Sequence, residues 1–183
     1  MNRDEALVLV RENIKKENLI KHMLAVEAIM KSTAEFLGED KEKWALVGLL
    51  HDIDYEKTEN DINKHALLQE EILKGKVPDD IIRTIKSHGY WYTGVMPEGK
   101  IDYSLIAADA ISGLVIACAL VMPSKKLQDV SVETVVKRYK EKDFARNCNR
   151  DRIYMCEKIG VDRMKFAEIA LKALQNISDS LGL

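Results

Sequence analysis

Apolar residues recur along most of this chain at the three- and four-residue spacing of a helix, and nowhere with the alternation of a strand. The pattern predicts a short first helix ending near Ile14 with Asp4 as its cap. A second, over 19–37, is capped by Asn18 and stopped by Gly38, with His22, Val26, Ile29 and Thr33 along one side. Asp40 opens a third, on which Trp44, Val47, Leu50 and His51 share a face. Residues 54–58 read as a polar loop. A fourth helix begins at Asp61 or Asn63, carries His65 in its first turn and Leu68 and Ile72 on the same side, and ends at Gly75. Pro78 suits the first turn of a fifth helix, where Asp79 and Asp80 complement the dipole and Ile81, Ile85 and His88 align before Gly89.

Residues 90–100 show no clear period and read as a loop, with three aromatics, able to overhang a site. Asp102 caps a long apolar helix with the stripe Leu105, Asp109, Ser112, Ile116 and Ala119, ended by Pro123. Ser131 caps a helix to Lys140, and Asp143 caps another over 144–159. The last helix, over 162–181, turns Met164, Ala167, Leu171, Leu174 and Ile177 inward. The expectation is an all-α chain, a single domain over 1–183 built as an irregular helical bundle.

Composition narrows this further. Nine glycines and three prolines are too few for the turns of a sandwich or barrel. Hydrophobic residues at 46% and charged residues at 32% fit a soluble globular protein. A net charge of -2 gives no reason to expect a nucleic-acid polymer or a membrane as partner. The first five residues carry no signal-peptide core, and the greasiest stretch, 110–122, is shorter than the roughly 20 residues that span a bilayer. Cys118, Cys148 and Cys156 are odd in number and form no CxxC pair, which favours small core residues in a reduced, cytoplasmic setting.

The chemistry centres on Leu49-Leu50-His51-Asp52-Ile53-Asp54-Tyr55, where a His-Asp pair closes an apolar run. A buried carboxylate needs a partner or a metal. The chain has four histidines, His22, His51, His65 and His88, each in or beside a helical apolar segment. Asp109 is a lone acid in the run Ala107-Ala108-Asp109-Ala110. A single such histidine is more often a hydrogen-bonded core residue; the set, with no stray histidine elsewhere, points to metal. Imidazole with carboxylate suits Mn, Fe, Co, Ni or Zn, with Mg possible. His22, His51, Asp52 and Asp109 make one mixed site, and Asp52 can bridge to a second ion held by His65 and His88. Two ions suit in-line displacement at phosphorus. Asp54, a candidate catalytic residue together with Asp52, is either a general base or a holder of the attacking water, or else a solvated turn acid or a helix-ending cap. The basic stretch 137–152 offers Lys142, Arg146 and Arg150 on one predicted helical side for a substrate phosphate; its alternative is a solvated face.

With these residues the chain resembles the HD-domain superfamily of metal-dependent phosphohydrolases: His22, then His51-Asp52, then Asp109 match the core metal motif, over about 19–121. His65 and His88 match the extra histidines of two-metal members. KHMLAVEAIM, GLLHDIDYE and AADAISGLV also resemble small stand-alone bacterial HD or HDIG proteins, and the similarity continues through FARNCNRDRI to the final LGL. The resemblance implies an all-α fold, one or two divalent ions, and hydrolysis of a phosphate mono- or diester, commonly a nucleotide. The Gly-Tyr-Pro signature of cyclic-dinucleotide hydrolases is absent, since Trp91 follows Gly89-Tyr90. Two other functions stand beside hydrolysis: a di-iron oxygenase using the same six ligands, and a non-catalytic nucleotide or phosphate sensor. Oligomers are compatible with all three.

Overall fold

Helix α1 (Arg3–Asn13) starts two residues earlier than its pattern suggests, because Asn2 and not Asp4 is the cap. Asn2 Oδ1 accepts from the Glu5 amide at 2.9 Å, and Glu5 returns a carboxylate to the Asn2 amide at 2.8 Å. The computed structural model describes residues 1–183 and contains no strand. Helix α2 (Glu17–Leu37) likewise begins before Asn18, preceded by Lys16 without a side-chain cap, and ends at Gly38 with φ 70°. Helix α3 (Lys41–Leu50) is capped by Asp40 as predicted.

The α2–α3 pair is the framework that carries His22 and His51. The helices cross so closely at Gly48 that a Cβ there would lie 2.8 Å from Glu27 Cα. Glu27 is buried, and Arg3 of α1 reaches both its oxygens, at 2.5 and 2.9 Å. A paired fork of this kind removes the cost of a lone buried carboxylate.

The region after Asp52 departs from the prediction. Residues 54–58 are not a loop: Tyr55–Thr58 is a helical turn, α4, and Asp54 is fully buried before it. The expected fourth helix is broken. Ile62–Lys64 forms a 3-10 turn, His65 is extended, Ala66 takes the left-handed region at φ 60°, and only Gln69–Leu73 is helical, α5. A left-handed non-glycine residue is uncommon. Here it reverses the chain so that His65 turns inward and Asp54 Oδ2 accepts from the Gln69 amide at 2.9 Å.

Helix α6 (Asp79–His88) follows Pro78, and a single helical turn, α7 (Tyr90–Thr93), interrupts the expected loop. Helix α8 (Lys100–Leu120) holds Asp102 inside its first turn rather than before it. From there Asp102 Oδ2 accepts from the Glu98 and Gly99 amides at 2.9 and 3.1 Å and from Arg83 at 2.6 Å. At 21 residues α8 is longer than the apolar stretch in the sequence suggests, and long and apolar enough to cross a bilayer; two-thirds of it is instead buried within the bundle. It packs on α2, α6, α9 and α11.

Helix α9 (Val132–Lys140) is capped by Ser131. The predicted helix over 144–159 does not form. Residues 141–149 are turns, Ala145 has φ 45°, and Asn149 caps a short α10 (Arg150–Ile153) followed by the 3-10 run Tyr154–Ile159. Asp162 caps α11 (Arg163–Gln175), which stops short of Ile177; α12 (Ser178–Leu181) ends the chain. Ala167, Leu171 and Leu174 face inward, whereas Met164 is exposed. One continuous apolar core runs from Ala6 to Leu181, so the helices after 131 pack on the same core as the rest.

Candidate metal centre

Four elements deliver the histidines to one place. His22 comes from the first turns of α2, His51 from the end of α3, His88 from the end of α6, and His65 from the link before α5. The last carbonyls of a helix lack intrahelical donors. Two of these histidines use them: His51 Nδ1 donates to Gly48 O at 2.9 Å and His88 Nδ1 to Ile85 O at 2.5 Å. His65 Nδ1 donates to Asp54 Oδ1 at 2.9 Å. His22 Nδ1 lies 3.3 Å from Ser112 Oγ, whose own proton goes to Asp109 O at 2.8 Å. In all four rings, then, Nδ1 is committed outward and Nε2 is turned in.

The inward nitrogens are short of partners. His51 Nε2 is buried with no hydrogen bond at all. His65 Nε2 and His88 Nε2 face each other at 3.1 Å. With both protons held on Nδ1 this sets two lone pairs against one another, an arrangement that a shared cation relieves. Outward Nδ1–H bonds to carbonyl or carboxylate are also what orients ligating histidines.

Two carboxylates complete the cluster. Asp52 Oδ1 lies 3.3, 3.4 and 3.5 Å from Nε2 of His51, His65 and His88, and Oδ2 lies 3.6 Å from His22 Nε2. Asp109 Oδ1 is 3.2 Å from His22 Nε2 and 4.0 Å from His51 Nε2. Two groups have ligand atoms within 4.8 Å of one another, His22–His51–Asp52 and Asp52–His65–His88, and Asp52 belongs to both. The mixed nitrogen and oxygen donors fit a divalent transition ion.

The electrostatics agree. Burial pushes the Asp52 and Asp109 carboxyls up, but the surrounding imidazoles, and for Asp109 first the Arg152 guanidinium, hold both well below the usual carboxylate range. Burial lowers the His51 pKa to about 4, leaving a neutral ring. Burial also works against charge on His22 and His65, yet Asp109 and Asp54 respectively outweigh it and raise them.

The remaining predicted residues fare differently. Asp54 does not face the cluster as a base would: both its oxygens are occupied, one by His65 and one by the Gln69 amide, so it orients His65. Neither the solvated turn acid nor the water-holding carboxylate describes it. Arg150 does not reach outward either. Its guanidinium donates to the carbonyls of Ala145, Cys148, Phe144 and Glu141 at 2.5–3.1 Å and holds the 141–149 turns together. Without a helix there, Lys142, Arg146 and Arg150 form no helical face; they border a cavity of about 800 Å³ beside α9 and α11, and none of them lines the space over the cluster. Lys142 is exposed, and Arg146 is 77% exposed with Asp143 beside it at 3.4 Å.

Arg152, another member of the same basic run, is the cation at the centre. Its Nη2 lies 2.7 Å from Asp109 Oδ2 and 3.3 Å from His88 O, and its guanidinium sits 4.9 Å from the Trp91 ring centroid. Its Nε is buried without a partner. The one sequence signal for it is a cation between Asp151 and the apolar Ile153, where its neighbours Lys142 and Arg146 stand in polar turns. The hollow over the cluster has a volume of about 330 Å³, with Tyr55, Trp91, Tyr92 and Arg152 among its walls.

The HD domain family model matches residues 19–114, just over half of the chain, from the start of α2 into α8. The chain belongs to the HD domain family. That family is a superfamily of metal-dependent phosphohydrolases, and the matched span contains every histidine and aspartate of this HD cluster. No curated protein and no solved structure matches the chain.

Proposed function

We propose that this HD protein hydrolyses a phosphate mono- or diester, a nucleotide being the leading class, with one or two divalent transition ions held by His22, His51, Asp52, His65, His88 and Asp109. The observation that carries this is the set of four inward Nε2 atoms around Asp52, one buried without any partner and two set against each other. When bound, such an ion supplies a Lewis acid and brings the pKa of an attached water down to about 7.

The chain's own side chains do the rest. Asp52 turns Oδ1 towards His51, His65 and His88 and Oδ2 towards His22, which ties the two halves of the centre together. Asp54 fixes the tautomer and ring plane of His65. Arg152 neutralises Asp109 and lines the hollow, where its guanidinium brings positive charge to a phosphate. Trp91 stacks on the guanidinium and limits its swing.

The test is a panel of phosphomonoesters, phosphodiesters and nucleotides, run with Mn, Co, Fe and Mg on protein stripped of metal. Turnover that requires added ion and disappears in Asp52→Ala is the expected result. Arg152→Ala should raise KM by about tenfold or more while metal content holds. Stoichiometric nucleotide binding without turnover, or oxygen uptake by an iron form, would overturn the reading.

A further inference from the structure

Two glycines lie inside helices, and the structure accounts for only one of them. Gly48 is where α2 and α3 cross, and a Cβ there would strike the Glu27 backbone. Gly113 of α8 is exposed, does not take a positive φ, and would carry a Cβ that meets nothing within 4 Å. Glycine weakens a helix interior relative to alanine, and no neighbour in the chain calls for it here.

What Gly113 does border is a space of about 640 Å³, within the range of about 300 to 1,000 Å³ usual for small-molecule sites. The other walls are Asp109 and Ala110 of α8, His22 of α2, and the stretch from 145 to 149 with Arg152 beyond it. Asp109 and Gly113 are four residues apart, so they share a face of α8 and lie about 6 Å apart along its axis. A helical side chain leans towards the N-terminus of its helix, so a larger residue at 113 would lean back over Asp109.

That face is also the side from which the cluster is reached. The side chains of His22, Asp109 and Arg152 are 25, 18 and 19% exposed, against 0, 11, 7 and 3% for His51, Asp52, His65 and His88. The same three exposed residues border both the 640 Å³ space and the hollow over the cluster. The hollow, at about 330 Å³, is at the small end of ligand sites and has the phosphate to hold. Trp91, on its far side, already has one face covered by Arg152.

We infer that the space over Gly113 is the subsite for the organic half of the substrate, a hydroxyl-bearing group such as the sugar of a nucleotide, and that Gly113 is the specificity-determining residue that keeps it open. The inference rests on the phosphohydrolase reading above. The apolar part of the wall is limited to Ala110, Ala145 and Cys148. Asn147 and Asn149 add amides, and Asn149 spends its Oδ1 on the Asp151 and Arg152 amides, which leaves its NH2 as the end to donate. A greasy group here would cover polar side chains without pairing them, whereas hydroxyls pair with them.

The experiment titrates zinc-loaded protein calorimetrically with non-hydrolysable phosphonates: methylphosphonate, and the 5′-methylenephosphonate analogues of adenosine, guanosine, cytidine and uridine. At least one nucleoside analogue should bind about tenfold or more tightly than methylphosphonate. Gly113→Leu should bring that ratio to within about twofold of one, with zinc content and methylphosphonate affinity unchanged. Gly113→Ala should raise the melting temperature and still lower the ratio by about threefold, a pairing that a plain surface glycine would not give. It also keeps the test open if Gly113→Leu does not fold. No nucleoside advantage in the unaltered protein, an advantage that survives the Gly113 variants, or an equal loss of methylphosphonate in Gly113→Leu overturns the inference and leaves the hydrolase reading standing. Loss of the advantage in Trp91→Ala alone would do the same and move the organic half to the other side of Arg152. Failure of methylphosphonate to bind the unaltered protein overturns both.

Discussion

The His–Asp cluster and the basic segment after α9 adjoin each other, yet the chain builds them in opposite ways. The cluster draws on the ends and faces of regular helices. There a side chain's direction follows from its place in the 3.6-residue period, and the end of a helix supplies a free carbonyl to fix a ring. The basic segment is a run of turns whose shape is set by one guanidinium. Arg150 serves the backbone, Arg152 serves Asp109, and Arg146 faces solvent. Three cations within seven residues thus have three unrelated roles, because nothing periodic orients them.

The sharpest way to break this contrast is Asp52→Ala, since Asp52 belongs to both groups of ligands. Metal affinity should fall by more than about 100-fold, read by elemental analysis after dialysis. Arg150→Ala tests the other region. Freeing the carbonyls of Ala145, Cys148 and Phe144 should cost about 2–3 kcal/mol in urea unfolding and open 141–149 to protease, with little change in metal content. Smaller is Asp54→Asn, which keeps the shape and loses the charge behind His65. It should weaken one of two metal-binding steps by about 10- to 100-fold and spare the other.

Acid should act on metal binding through the imidazoles of the cluster. His22 and His65 have raised pKa values in the metal-free protein, whereas His51 is already neutral. A ligand must be deprotonated to bind, so metal uptake near pH 7 should release protons. Affinity should fall as pH drops through the raised values, by about tenfold per unit for each imidazole that must lose a proton. A pH-independent affinity between about pH 6 and 8 would contradict the assignment of His22 and His65. The smallest effect is reserved for Lys142→Ala, an exposed position, where stability should stay within about 0.5 kcal/mol.

The same contrast explains how much was legible in advance. His22, His51, His88 and Asp109 lie on helices whose apolar spacing points them inward, and their sequence spacing resembles the HD motif. His65 was legible as a ligand type but not in its backbone: the pattern over 61–75 has helical spacing, and only the hydrogen bonds from His65 and Gln69 to Asp54 explain why it breaks. Asp54 itself is followed by polar residues, so nothing local distinguishes a buried orienting acid from a surface one. Arg152 was hidden for a related reason. Its value lies in Asp109, far earlier in the chain, and a charge run carries no record of such a partner. The caps show the same limit at smaller scale, since Asn2 and Asp4 are equally good residues and only Glu5 three positions after Asn2 decides between them.

The most direct test of the central claim is a metal titration of stripped protein, followed by elemental analysis and by a crystal structure at the metal's absorption edge. The account predicts up to about two divalent ions per chain, one beside His22, His51 and Asp109, one beside His65 and His88, with Asp52 touching both. Protein that retains no ion after exposure to Mn, Fe, Co and Zn, with His65 and His88 still facing each other and His51 Nε2 still unpartnered, would contradict it.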